Sequence, residues 1–248
     1  MNSAILKTEQ LCVGYPKMDV LTNVNLCLNS GETVGLIGLN GAGKTTLIKT
    51  LLELRKAKSG SFTIDIRSDT PAEDPQGDRG YINALAYLPE KFEPPAFLTG
   101  YEFIEFSLKV YGRKVKRDVI RLAVHDMAFD MKFLDKRVSS YSKGMRQKIG
   151  LLATVLARCS LMILDEPMSG LDPFSRSLVK DLIKAEKEKG ASFLISSHVL
   201  SDMEEICDKI AIIDGGGVHF FGLATDFVGK SGAENLERAF MNLILNNR

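Results

Sequence analysis

Two kinds of apolar pattern alternate along the chain. Residues 24–29 (VNLCLN) and 61–66 (SFTIDI) carry an apolar side chain at every second position, the period of a strand with one buried and one solvated face. Residues 32–38 (ETVGLIG) form an apolar run that ends in glycine, which predicts a buried strand leading directly into a turn. A helix is predicted to follow over about residues 43–54.

From residue 99 to about residue 157 the period becomes helical. Thr99 is placed to cap a helix carrying Phe103, Ile104, Phe106, Leu108 and Val110, and KRDVIRLAVHDM and GMRQKIGLLATVLA continue the pattern. This reads as a helical insert in a strand-rich chain. Residues 161–165 (LMILD) and 192–196 (SFLIS) are short apolar runs separated by a helix whose inner face is marked by Leu178, Val179, Leu182 and Ile183. Strand, helix, strand with buried strands predicts a parallel sheet covered on both faces. KIAIID and VHFFG flank a glycine turn at 215–217, and Leu236, Phe240, Leu243 and Ile244 mark a last amphipathic helix. Residues 68–80 are rich in proline, glycine and charge and read as a surface excursion without chemistry. The expected fold is α/β, with a mixed/parallel sheet core, an antiparallel β subdomain and an inserted α-helical subdomain.

Composition narrows the classes. The 248 residues are 45% hydrophobic and 25% charged with a formal charge of +1, an ordinary globular balance without the basic field of nucleic-acid binders. No nucleic acid is expected as a partner. Cys12, Cys27, Cys159 and Cys207 stand singly among apolar residues, so they read as reduced, buried thiols in a cytoplasmic protein. The first residues, MNSAILKTEQ, lack the pattern of a secretion signal. The best span candidate, 149–164, is interrupted by Arg158 and falls short of the roughly 18–20 apolar residues a span needs. Work at a membrane would require another chain to cross it.

The chemistry begins at residues 38–45, GLNGAGKT, which fit the phosphate-loop pattern shared by kinases, GTPases, helicases, motors and transport ATPases. Gly38, Gly41 and Gly43 let backbone N–H groups face phosphate oxygens, Lys44 reaches the outer phosphates, and the Thr45 hydroxyl completes a magnesium sphere. Asp165 ends a buried strand and is placed to hold magnesium through water, while the adjacent Glu166 is available to deprotonate an attacking water. His198, at the end of the next buried strand, is placed to donate to a terminal phosphate. His125 and His219 read as structural or exposed.

The motifs GLNGAGKTT, YSKGMRQ (141–147), ILDEP, SGLD (169–172) and SSH (196–198), in this order over nearly the whole chain, resemble those of ATP-binding cassette ATPases. The resemblance implies a P-loop NTPase fold, with ATP and Mg2+ as ligands. It implies an ATP site at Tyr15, which matches the adenine-stacking aromatic, and at Gly38, Leu39, Asn40, Gly41, Ala42, Gly43, Lys44, Thr45 and Thr46. Ser142 and Gly144 would contact ATP held by the other subunit of a pair, and Asp172 would link the two sites. Catalysis is expected from Glu166, His198, Lys44 and Glu90, and metal binding from Thr45, Asp165 and Glu90. Against the family's LSGGQ the chain has Tyr141, Lys143 and Met145, and it has Glu90 where a glutamine is usual. Lys143 and Arg146 read equally as a solvated pair at a helix start or as an attraction for phosphate.

The expected organisation is a single cassette over 1–248: catalytic core with β subdomain over 1–90 and 159–222, helical subdomain with the signature over 91–158, and a helical tail over 223–248. The function implied is that of an ATP-hydrolysing transporter subunit, resembling exporter ATPases whose permease is a separate chain. It would be peripheral on the cytoplasmic face of a membrane and paired with a copy of itself or a similar subunit. A transport-free, ATP-gated scaffold of the same family is the alternative. A phosphate-transferring kinase would have no use for YSKGMRQ or SGLD.

Overall fold

The computed structural model describes residues 3–66 and 84–246; the predicted excursion at 68–80 lies outside them. In chain order the strands are β1 (Ala4–Tyr15), β2 (Met18–Asn29), β3 (Thr33–Ile37), β4 (Ser59–Ile64), β5 (Leu85–Leu88), β6 (Leu161–Asp165), β7 (Ser192–Ser197), β8 (Lys209–Asp214) and β9 (Gly217–Gly222). The helices are α1 (Lys44–Leu51), α2 (Gly100–Val110), α3 (Arg117–Asp126), α4 (Lys143–Leu156), α5 (Pro173–Glu188), α6 (Leu200–Ile206), α7 (Ala224–Ser231) and α8 (Leu236–Asn246). The chain divides into two compact units, Met1–Asp65 with Ser192–Arg248, and Ile66–Ala191.

In the first unit β2, β1 and β4 form an antiparallel sheet. Its buried face is built from cross-strand pairs such as Leu6 with Leu28 and Val13 with Leu21, the contacts that stabilise such sheets. β2 begins six residues before the alternation at 24–29 becomes legible, because register shifts on either side of Leu11 break the period-two pattern. β3 is buried along its whole length between two parallel neighbours, β7 and β8, which is why its sequence is continuously apolar. β8 returns through Gly215 and Gly216 into antiparallel β9. α1 stops before the predicted residue 54, since Glu53 turns to φ +56°. α8 buries Leu236, Ala239, Phe240 and Ile244, the i, i+3, i+4, i+8 stripe expected of an amphipathic helix.

In the second unit β5 and β6 pair in parallel. Thr99 caps α2 as predicted: its hydroxyl accepts from the Glu102 N–H at 3.2 Å and the Glu102 carboxylate accepts from the Thr99 N–H at 2.8 Å, a reciprocal capping box. Phe106 and Val110 on that helix are exposed, as is Phe97. Phe92 is half-buried against Phe103, and Tyr101 is half-buried beneath the Arg117 guanidinium. On α5 the buried face is Ser175, Val179 and Ile183. Leu178 and Leu182 are only half-buried and line a cavity of about 760 Å³ with Leu122 and Leu152, apart from every motif residue. Of the cysteines only Cys159 is buried; the other three are partly exposed, so buried thiols are found at that position alone. No described helix is long and apolar enough to cross a membrane, and the 149–164 run is split between α4 and β6.

Candidate functional site

In the first unit β3 delivers the glycine loop to the carboxyl edge of the parallel strands. Ile37 pairs with Ser197 of β7 on one side and Ile212 of β8 on the other, so the loop and His198 leave the sheet side by side, at the edge where such sheets bind ligands. Gly38 is required by close approach: a Cβ there would lie 2.5 Å from the Ile213 carbonyl oxygen. Gly43 has φ +109° and faces the Leu21 and Val20 side chains, so this left-handed start of α1 excludes other residues. Lys44 is buried, and its Nζ donates to the carbonyls of Gly38 at 2.7 Å and Leu39 at 3.4 Å, which holds the ammonium over the loop. Thr45 and Thr46 are half-buried in the first turn, while Leu39, Asn40 and Gly41 are exposed and Ala42 half-buried.

Tyr15 closes β1 at the β1–β2 hairpin, and Val20 and Leu21 of β2 lie against Gly43 of the loop. The Tyr15 ring is 47% exposed and has the Arg55 guanidinium 4.2 Å from its centroid, a cation–π pair held by a 3.1 Å bond from Arg55 to the Gly14 carbonyl. The contact of Arg55 with Tyr15 was not legible in the sequence. His198 is exposed. His219 bonds the Asp214 carbonyl and His125 lies exposed beside Asp126, so neither joins the loop.

In the second unit Leu88 pairs with Leu164, so Glu90 and the Asp165–Glu166 pair follow strands that end together. Asp165 and Glu166 are buried and Glu90 is exposed. Tyr87 reports their shared neighbourhood: burial first, then the charges of Asp165 and Glu90, push its hydroxyl up to about 12.

The signature residues meet in a hollow of about 500 Å³ lined by Ser142, Lys143, Gly144, Met145, Lys148 and Asp172 among others. Ser142 caps α4, its Oγ accepting from the Met145 N–H at 3.2 Å. Asp172 caps α5, accepting from the Ser175 N–H at 2.9 Å and hydroxyl at 2.8 Å; those bonds hold its carboxyl below the usual carboxylate range. Gly144 sits where a Cβ would be 3.3 Å from the Gly170 carbonyl oxygen. Lys143, one of two residues read as solvated or phosphate-attracting, donates to the Ser169 hydroxyl at 3.1 Å with its stem lying over Gly170; Arg146 is half-buried. Tyr141 in place of leucine has a local reason. Its hydroxyl donates to the Phe133 carbonyl at 2.6 Å, its ring packs on Phe129 and Phe133, and Gly100 leaves it room. Gln147 is the residue the sequence reading passed over: it is buried, and its Nε2 donates to the Pro167 carbonyl at 3.0 Å and the Glu166 carbonyl at 3.4 Å. A lone amide on the apolar face of α4 was the available signal.

Residues 21–169 match the family model described as ABC transporter. The chain is 37% identical to an uncharacterized ABC transporter ATP-binding protein of Synechocystis, over 86% of this chain but only 59% of the relative. It is 35% identical to the ABC-type transporter ATP-binding protein EcsA of Bacillus subtilis, over 94% of this chain and 92% of the relative. A solved structure titled as the ATP binding subunit of an ABC transporter superposes with a TM-score of 0.82 at 28% identity, covering 97% of this chain and 99% of that one.

Proposed function

This chain belongs to the ABC transporter family, whose ATP-binding cassettes hydrolyse ATP to power transport, and from that premise we propose that it is the ATPase subunit of an exporter with a separate permease. The observation that carries the reading is the glycine loop: Gly38 and Gly43 stand where a side chain would collide, and Gly43 leads directly into Lys44 and the Thr45 hydroxyl at a helix start, the arrangement that receives phosphate. Family cassettes work in pairs with a transmembrane permease. In this reading the chain pairs with a copy of itself or a similar cassette and sits on the cytoplasmic face of a membrane through that permease. The division into core, helical subdomain and tail belongs to the same proposal.

The residue roles are part of the same proposal. The loop 38–46 grips the phosphates of ATP, Tyr15 stacks on adenine, and Ser142 and Gly144 complete the site of the opposite cassette, with Asp172 linking the two. Thr45, Asp165 and Glu90 offer oxygen donors alone, the hard set that suits Mg2+, which when bound would neutralise charge on the phosphates. Glu166 takes the proton of the attacking water, Lys44 and the loop amides stabilise charge on the terminal phosphate, and His198 donates to it. ATP bridging the phosphate loop of one cassette and the signature of the other closes the pair, and hydrolysis reopens it.

Glu166→Gln is the test. Hydrolysis should be lost while ATP is retained and traps a stable dimer by size-exclusion light scattering; near-normal turnover would remove Glu166 from this role. Co-purification with a polytopic membrane protein is the test of transport, and a purely soluble complex would sink it.

A further inference from the structure

One side chain holds the turn that carries Glu166 from outside that turn. Glu166 has φ +50°, a left-handed conformation that a residue of its type seldom adopts, and it precedes Pro167, whose ring restricts it further. Such a backbone persists only where its surroundings over-determine it. Part of the restraint is local: the Ser169 N–H donates to the Glu166 carbonyl at 3.1 Å, closing a four-residue turn with Pro167 at the position its fixed φ suits. A further part comes from α4, where the buried Gln147 amide donates to the Pro167 carbonyl at 3.0 Å and to the Glu166 carbonyl at 3.4 Å. A carboxamide carries two N–H groups, so both bonds can be made at once.

Gln147 stands one turn beyond Ser142 and Gly144 on the same helix. That first turn is tied to the same segment twice more, by Lys143 to the Ser169 hydroxyl at 3.1 Å and by the close approach of Gly144 to the Gly170 carbonyl. We infer that Gln147 is a positioning residue: its amide fixes the left-handed turn at Glu166 and joins the signature turn and the hydrolytic carboxylate of one chain into a single piece. The inference rests on the proposed role of Glu166. Its consequence is that a nucleotide engaging Ser142 and Gly144 bears on the Glu166 of the chain it touches, because the helix it meets is the one that holds that turn.

Gln147→Met in the full-length chain removes both donors while keeping an unbranched side chain and a good helix former. The expected result is a fall in kcat of about 10- to 100-fold, the size of effect that misplacing a reacting group produces, with the ATP dissociation constant of the monomer within about twofold of the parent. Amide exchange at Ser169 should accelerate, and adding Gln147→Met to Glu166→Gln should cost nothing further in hydrolysis. Parental kcat, an affinity loss that matches the kcat loss, or losses that multiply in the double variant would each overturn the inference. Should Gln147→Met not fold, Gln147→Asn, which keeps the amide one methylene short of its partners, takes its place with the same readouts. If Glu166→Gln alone retains hydrolysis, the role of Glu166 fails, and Ser169 exchange then decides on Gln147: unchanged exchange refutes the restraint.

Discussion

Gly100→Ala tests how the signature turn is packed. Gly100 opens α2 directly after its Thr99 cap, with no unusual φ, so alanine is acceptable to the backbone. The obstacle is Tyr141, since a Cβ at residue 100 would overlap its hydroxyl and lie 3.2 Å from Cζ. The ring cannot retreat freely, being held by Phe129, Phe133 and the 2.6 Å bond to the Phe133 carbonyl. Overpacking of this kind costs about 1–3 kcal/mol, and a displaced hydroxyl gives up a bond worth about 1 kcal/mol. Alanine returns at most about 1 kcal/mol of helix propensity, less at a helix start. The net expectation is a loss of about 2 kcal/mol, or a Tm lower by about 4–8 °C for a chain of this size. Thermal and urea unfolding of Gly100→Ala, Tyr141→Phe and the double variant form a cycle. Tyr141→Phe removes the overlapping atom, so in that background Gly100→Ala should cost under about 1 kcal/mol, leaving a coupling of at least about 1 kcal/mol. Equal costs in the two backgrounds, or a stabilising Gly100→Ala, would refute the packing argument.

Two further substitutions or conditions have a definite sign. The Thr33 hydroxyl is buried in β3 without a hydrogen-bond partner among the described residues; Thr33→Val should raise stability by about 1 kcal/mol in urea unfolding, and a loss of that size would show that the hydroxyl is satisfied. Burial pushes the Cys159 thiol from 9.0 up to about 11, opposed in part by Arg113. Because the folded value is the raised one, the contribution is whole below pH 9 and is lost as pH climbs towards about 11. Alkylation with iodoacetamide should therefore modify Cys159 last of the four cysteines; equal rates under native conditions would contradict its burial.

Much of the site was legible because its determinants are local. A glycine at 38 and 43, a lysine and a threonine at the next positions, and a carboxylate closing an apolar strand each follow from chain spacing, and the structure sets them at the ends of β3 and β6. What escaped were residues whose role comes from a distant partner. Arg55 lies forty residues from the ring it covers in a sheet whose bulges hide the register. Lys143 offered two readings as an isolated charge, and the Ser169 hydroxyl that anchors it is 26 residues away.

The amino-acid sequence by itself determined the α/β alternation, the phosphate loop with its strand and helix, and the ordered motifs that place the chain in its family. These depend on periodicity and on residue types at short spacing. Only the tertiary structure decided that Tyr141 is built against Gly100, that Leu178 and Leu182 face a cavity instead of the core, and that Glu166 stands in a left-handed turn held by Gln147. A backbone dihedral and a buried hydrogen bond between residues 19 and 20 positions apart are set by packing, and packing has no signature in linear order.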